Sequence, residues 1–100
     1  MTINIVPWGD DPAFDWNDDN QREIAAHGVK DFEVEQCFEN EEGYSKEFWV
    51  SRHKKARSDP ESYGDRYIVK GSTLGGRRLT IIIQCLGGSW IRPITAWDIE

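Results

Sequence analysis

The chain lacks long apolar segments and is poor in cysteine and histidine, with two of each among its 100 residues. Its longest apolar stretch, residues 79–86, is interrupted by polar side chains and is far shorter than the ~20 residues that span a bilayer. The N-terminal sequence has no basic region ahead of an apolar stretch, which an export signal requires. We therefore expect a cytoplasmic protein that does not enter a membrane.

The scarcity of cysteine and histidine also restricts the chemistry of the chain. Cys37 and Cys85 belong to predicted elements of different type and allow at most one bridge, so we expect reduced thiols rather than a disulfide framework. His27 and His53 have no neighbours at the spacing of metal ligands. The sequence therefore predicts no metal site and no cofactor.

Charge is distributed unevenly along the chain, whose formal net charge is −6. Residues 1–43 contain 12 acidic and 2 basic residues, whereas residues 52–92 contain 9 basic and 3 acidic ones. A basic second half can contact phosphate even when the whole chain is acidic. The alternative is that the two halves form solvated faces that attract each other.

The first half predicts two helices in a single domain of residues 1–100, preceded by an irregular segment over residues 1–13. Asn17 and the two aspartates after it are good N-cap residues, and Gly28 is a good C-terminal stop. They predict a helix over residues 18–27, with Ile24 and Ala25 directed inward. Asp31 is the expected cap of a second helix that ends near residue 40.

The buried face of this second helix is indicated by residues at i, i+3 and i+4, namely Val34, Cys37 and Phe38. Val29 is expected to pack on Val34 as a hydrophobic staple. Residues 44–65 are rich in turn formers and basic side chains, so we expect a loop there, with a strand over residues 47–51 as the alternative.

The last third predicts three strands, over residues 66–70, 77–86 and 89–97, joined by glycine-containing turns. Pro93 cannot donate a hydrogen bond within a sheet, which favours an edge position or a break in the third strand. The expected fold is therefore α+β, with two N-terminal helices packed on a three- to four-stranded antiparallel β-meander.

Three stretches of the chain resemble the BrnT family of toxins. FDWNDDN (residues 14–20) followed by IAAHGV (residues 24–29) is similar to the first helix and the HGV turn of that family. VEQCFEN (residues 34–40) is similar to the second helix. GSTLGGRRLTIII (residues 71–83) and IRPITA (residues 91–96) are similar to the hairpin and the final strand.

This resemblance implies a RelE-like ribonuclease fold and RNA cleavage that is neutralised by a cognate antitoxin, often a ribbon-helix-helix repressor. Because the sequence has no cluster of metal ligands, we expect this cleavage to need no metal. Trp97 stands where family members usually carry a basic residue. This difference favours a second hypothesis, a catalytically silent member that acts as a protein-binding module. Five tryptophans and the charge split lead us to expect association, with an antitoxin or with a second copy of the chain.

Candidate catalytic residues follow from what metal-free RNA cleavage requires, which is stabilisation of phosphorane charge and proton transfer. Arg77, Arg78 and Arg92 suit the first task, because a guanidinium group matches phosphate geometry, and we expect them to lie near one another on paired strands. The alternative is that they are solvated strand ends or partners of the acidic helices. His27 suits proton transfer, although a histidine before a C-cap glycine also stabilises a helix.

Candidate RNA-binding residues lie mainly in the predicted loop, where Lys54, Lys55 and Arg57 could contact the RNA backbone without sequence specificity. The alternative is that these residues only keep the loop soluble. Tyr67 could donate a hydrogen bond to phosphate, but a tyrosine within a strand is more often a packing residue.

Overall fold

The computed structural model describes residues 7–9, 11–38 and 49–99. These residues form an α+β domain in which two helices pack on a five-stranded mixed sheet. The elements in chain order are β1 Ala13–Phe14, α1 Asp18–Ala26, α2 Asp31–Phe38, β2 Trp49–Arg52, α3 Lys54–Ser58, α4 Pro60–Tyr63, β3 Arg66–Ser72, β4 Arg78–Gly87 and β5 Trp90–Asp98.

The first helix begins at the predicted residue and ends at Ala26, one residue before the predicted end, with His27 as its C-cap. The Asn17 side chain accepts a hydrogen bond from the Asn20 backbone N–H, and the Asn20 side chain accepts one from the Asn17 backbone N–H. The two bonds form a capping box. At the other end Gly28 has a φ of 74°, and two backbone bonds, Gly28 to Ala25 and Val29 to Ile24, form a Schellman motif. Ile24 is buried as predicted, whereas Ala25 is exposed.

The second helix packs with the predicted face. Val34, Cys37 and Phe38 are buried, and Val29 lies with them in the core, as a staple requires. The cap differs from the prediction, because the helix already includes Asp31. The backbone N–H of Lys30 instead donates to the Glu33 carboxylate at 3.1 Å. The predicted end of this helix near residue 40 lies outside the described residues.

The predicted meander is confirmed, since β3, β4 and β5 pair in antiparallel order. The sheet order is β1-β5-β4-β3-β2, so the prediction of three to four antiparallel strands was wrong in two respects. A fifth strand is present, and β1 pairs with β5 in parallel at residues 90 and 91. The start of β5 is therefore paired on both sides and is not an edge of the sheet. Pro93 lies just before a bulge in the pairing with β4.

The loop predicted over residues 44–65 is replaced at residues 49–63 by β2, α3 and α4, and the alternative of a strand over residues 47–51 is confirmed at residues 49–51. Residues 44–48 lie outside the described part. β2 pairs along its whole length with β3, and Val50 packs against the core. α3 follows because the His53 ring accepts a hydrogen bond from the Lys55 backbone N–H, which caps the helix. Basic composition and turn formers therefore concealed a strand and two short helices.

The sheet has two distinct faces. The core face carries Leu79, Ile81 and Ile83 of β4, which are fully buried against α1 and α2. Because side chains alternate along a strand, the residues between them lie on the opposite face, which we call the outer face. It carries Arg66, Ile68 and Lys70 of β3, Arg78, Thr80, Ile82 and Gln84 of β4, and Arg92 of β5.

Within the described residues, no helix is long and apolar enough to cross a membrane.

Candidate functional site

The strand register separates the arginines that the sequence analysis grouped together. Arg92 is paired with Gln84, which lies six residues from Arg78 along β4. At ~3.4 Å per residue, Arg78 and Arg92 are about 20 Å apart. The expectation that Arg77, Arg78 and Arg92 lie near one another was therefore wrong. The candidates lie at opposite ends of the sheet.

At one end, Arg77 connects three elements. Its Nη1 donates at 2.9 Å to the Glu33 carboxylate of α2 and to the Gly28 carbonyl oxygen after α1. Its Nε and Nη2 donate to the two carboxylate oxygens of Asp98 in β5. We call these four residues the Arg77 cluster. The guanidinium group is thus bound to protein acceptors. This corresponds to the alternative prediction, in which the arginines are partners of the acidic helices.

The charge partners in the Arg77 cluster affect one another. The hydrogen bonds to Asp98 and Glu33 raise the pKa of Arg77 above its ordinary value, and the bond from Arg77 lowers the pKa of Asp98. Arg78 is the next residue but lies on the outer face and is exposed. The two adjacent arginines therefore face different surroundings and are not interchangeable.

His27 lies near this end of the sheet as the C-cap residue of α1. Its Nε2 is 3.0 Å from the Glu23 carboxylate, which also accepts a hydrogen bond from the Thr95 hydroxyl at 3.0 Å. The Trp97 ring lies beside it, with ring centroids 6.5 Å apart. These contacts tie α1 to β5, and they do not bring His27 to an arginine of the outer face.

At the other end, a row of polar side chains crosses the sheet. The His53 backbone N–H donates to the Arg66 carbonyl oxygen at 2.9 Å, Arg66 is paired with Gln84, and Gln84 with Arg92. We call His53, Arg66, Gln84 and Arg92 the basic row. Neighbouring strands are ~4.8 Å apart, so the two arginines flank the glutamine on the outer face, about 10 Å from each other.

Arg92 is held at the end of the row by an acidic residue. Its Nε donates to Oδ2 of Asp15 at 2.7 Å, and its Nη2 lies 2.7 Å from the same oxygen in an ion pair. Asp15 is itself fixed to β5 through its backbone N–H. The two side chains remain 40% and 33% exposed. The pair thus fixes the direction of the guanidinium group without removing it from solvent.

His53 is placed at the opposite end of the row. Its Nδ1 accepts the hydrogen bond from the Lys55 backbone, so the neutral imidazole carries its proton on Nε2. Burial, followed by the positive charges of Arg66 and Lys55, lowers the pKa of His53 below 6.5. The ring is therefore mainly neutral at pH 7 and carries its N–H at a fixed position.

The remaining RNA-binding candidates fall into two groups. Lys54 and Lys55 are exposed on α3, beside the basic row, whereas the side chain of Arg57 lies outside the described part. Tyr67 packs against the core, with its ring 6.0 Å from that of Trp8. The structure thus places the lysines at a solvent-facing position and the tyrosine in the alternative role of a packing residue.

Arg66 and His53 were not among the site residues predicted from the sequence. Arg66 was identified only as the start of a strand, and His53 only as a histidine without metal-ligand spacing. The signal for Arg66 was its position in a hairpin, because pairing across the turn at residues 73–77 places it opposite Gln84. There was no comparable signal for His53, because it was placed in the predicted loop and not beside a strand.

A groove of about 320 Å³ lies between α1 and α2, on the acidic half of the chain. Its lining includes Val29 and the ring of Phe32, which is 51% exposed. The Lys30 ammonium group lies 5.8 Å from the centre of that ring. An exposed aromatic side chain beside a groove is typical of surfaces that bind another protein.

Among the residues that the structure describes, no group of three or more His, Cys, Asp or Glu side chains is arranged to hold a metal ion. No protein-family model, curated protein or solved structure matches the chain.

Proposed function

We propose that the chain is a toxin of the BrnT type, a metal-independent endoribonuclease that contacts RNA through the outer face of its sheet and is neutralised by a cognate antitoxin. The observation that carries this proposal is the basic row. Arg66 of β3 and Arg92 of β5 lie on the same face of the sheet, on either side of β4, with Lys54 and Lys55 at the end of the row near β2. Cations along one face of a sheet form the kind of surface that follows a phosphate backbone.

The charge distribution supports this placement of RNA. Six acidic residues lie on α1 and α2, which pack on the core face and not on the face of the row, namely Asp18, Asp19, Glu23, Asp31, Glu33 and Glu35. The resemblance to the BrnT family supplies the reaction, since phosphate contact alone would also suit a binding protein. In this proposal Arg92 stabilises the charge that develops at the scissile phosphate.

A second candidate function is a catalytically silent family member that binds another protein. It is favoured by the partners of the predicted catalytic residues. Arg77 is bound to Asp98 and Glu33, and His27 is paired with Glu23. The groove beside Phe32 offers a surface for such a partner, and its acidic surroundings favour a basic one.

Controlled expression distinguishes the two functions. A working toxin should arrest growth, and the purified chain should cleave RNA in the presence of a chelator. Arg92→Ala should lower the cleavage rate by ~10²-fold or more, if the guanidinium group stabilises charge that develops only in the transition state. Arg92→Lys should recover little, since a point charge does not reproduce the fork.

Arg78→Ala and Arg22→Ala complete the test. Arg22 is exposed on α1, so its replacement is a matched control that should leave cleavage unchanged. Activity that depends on Arg92 but not on Arg78 would assign catalysis to the basic row, and the reverse would assign it to the other end of the sheet. A wild-type chain that neither arrests growth nor cleaves RNA would favour the binding module.

A further inference from the structure

The basic row contains two residues, His53 and Arg66, to which neither the sequence nor the family resemblance assigns a role. We propose that these two residues bind a phosphodiester group of RNA, with His53 donating from Nε2, and that Arg92 contacts the RNA backbone further along the same face. The identity of the ligand as RNA rests on the proposed function. The location of the site rests on the register and contacts of β2, β3, β4 and β5.

The first argument is the rigid placement of Arg66. Its carbonyl oxygen accepts the hydrogen bond from the His53 backbone, and its partner Gln84 belongs to the central strand of the sheet. Tyr67 packs against the core, and because side chains alternate along a strand, the neighbouring Arg66 side chain points to the outer face. A cation on such a support is held in place before any ligand arrives.

The second argument is the tautomer of His53. A histidine that caps a helix through Nδ1 has only one neutral form, in which Nε2 carries the hydrogen. Burial, followed by the positive charges of Arg66 and Lys55, lowers the pKa of the ring and favours its neutral form, and the same charges attract an anion to it. His53 is therefore suited to donate a hydrogen bond to phosphate and is poorly suited to accept a proton through Nε2.

The third argument is the balance of charge around the row. Arg66 and Arg92 contribute two positive charges, and Lys55 adds a third at the end of β2. The Asp15 carboxylate neutralises part of this and directs Arg92. The row thus brings three cationic side chains to one region of a protein whose net charge is −6, and such a concentration of cations attracts an anion.

The experiment follows the imidazole of His53 by NMR while a single-stranded RNA oligonucleotide or inorganic phosphate is added. A bound phosphate group opposes the effect of Arg66 and Lys55, so saturation with RNA should raise the pKa of His53. In the free protein, Arg66→Ala should also raise it, because one of the two nearby charges is removed. No change at saturating RNA, or a change with inorganic phosphate alone, would overturn the assignment to RNA.

Affinity measurements separate binding from folding. His53→Asn retains a side-chain acceptor for the Lys55 N–H, because asparagine is a good N-cap, but it lacks the imidazole donor. Arg66→Ala and His53→Asn should each weaken RNA binding about tenfold or more, the loss expected for a charge-assisted hydrogen bond. Arg22→Ala should bind as the wild type does, and thermal unfolding of all variants should show an intact fold.

The two proposals can fail separately. If the wild type cleaves RNA while Arg66→Ala and His53→Asn bind and cleave normally, the proposed site is wrong and the ribonuclease function stands. If RNA binds at His53 and Arg66 while the wild type neither cleaves RNA nor arrests growth, the site stands and the ribonuclease function is wrong.

Discussion

Replacing Asn20 by alanine should destabilise the fold more than replacing Asn17, the N-cap residue of α1. Asn20 is only 5% exposed, and its side-chain amide donates at 2.9 Å to the carbonyl oxygens of Asp15 and Pro93. Its side-chain oxygen accepts from the Asn17 backbone at 2.8 Å. One side chain thus joins the start of the helix, the segment before it and the central part of β5.

The magnitude follows from these contacts. Loss of the donor leaves the buried carbonyl of Pro93 without its partner, which costs about 1–3 kcal/mol. Loss of half of the capping box costs about 1 kcal/mol more. We therefore expect Asn20→Ala to lower the free energy of unfolding by about 2–4 kcal/mol, a large share of the ~5–15 kcal/mol that is usual for a domain.

Urea unfolding, followed by tryptophan fluorescence, measures this change as a lower midpoint with an unchanged slope. Asn17→Ala is the matched comparison, since it removes only a cap and should cost about 1 kcal/mol. Asn20→Asp keeps the acceptor but places a carboxylate against two carbonyl oxygens, so it should be at least as harmful as alanine at pH 7. An Asn20→Ala variant no less stable than Asn17→Ala would refute the reasoning.

Three further predictions concern packing, thiols and pH. Gly71→Ala should cost about 1–3 kcal/mol of stability, because its Cβ would lie 3.0 Å from the Cys37 Cβ and force α2 away from β3. Burial raises the pKa of Cys37 to about 12 and that of Cys85 to about 11, so both thiols should alkylate slowly in the native protein and rapidly after unfolding. Arg77 lowers the pKa of Asp98, so the stability contributed by Asp98 should be complete above its unfolded pKa and lost as pH falls through the lowered value.

Each of these predictions has a control or an opposing outcome. Gly75→Ala is the control for packing, since its Cβ would lie 3.8 Å from Thr73 and stability should change by less than ~0.5 kcal/mol. Equal losses for the two glycines would contradict the contact of α2 with β3. Rapid alkylation of the native protein would contradict the burial of the thiols, and an unfolded protein without free thiols would indicate a disulfide. Asp98→Asn should flatten the acid part of the curve of stability against pH.

Local signals in the sequence were sufficient for much of the helical half. The capping asparagine, the glycine that stops α1 and the buried face of α2 are each determined by residues within a few positions, and the structure has them as predicted. The prediction that Ala25 is directed inward was wrong, because the helix places only its neighbour Ile24 against the core.

The outer face could not be predicted to the same extent, because it depends on long-range register. If the pairing of Gly87 with Trp90 continued without a bulge, Gln84 would pair with Pro93. Arg92 would then lie on the core face. The bulge between Cys85 and Gly87 shifts the register by one residue and moves Arg92 to the outer face. No residue pattern in the turn specified this bulge.

The separation of Arg78 from Arg92 could have been predicted from the sequence. Arg92 follows the β4–β5 turn closely, whereas Arg78 lies at the far end of β4, so an antiparallel hairpin already separates them. The misassigned segment over residues 49–63 has a different cause. Its strand is only four residues long and is stabilised by pairing with β3 rather than by its own composition.

The most direct test of the basic row is the salt dependence of RNA affinity. If about three cations contact phosphate, the logarithm of the binding constant should fall with the logarithm of salt concentration with a slope of about −2 for a single strand. Arg66→Ala should reduce the magnitude of that slope by about 0.7. Arg22→Ala, which changes an exposed residue of α1, should leave the slope unchanged. A slope near zero, or one that Arg66→Ala does not change, would contradict the account.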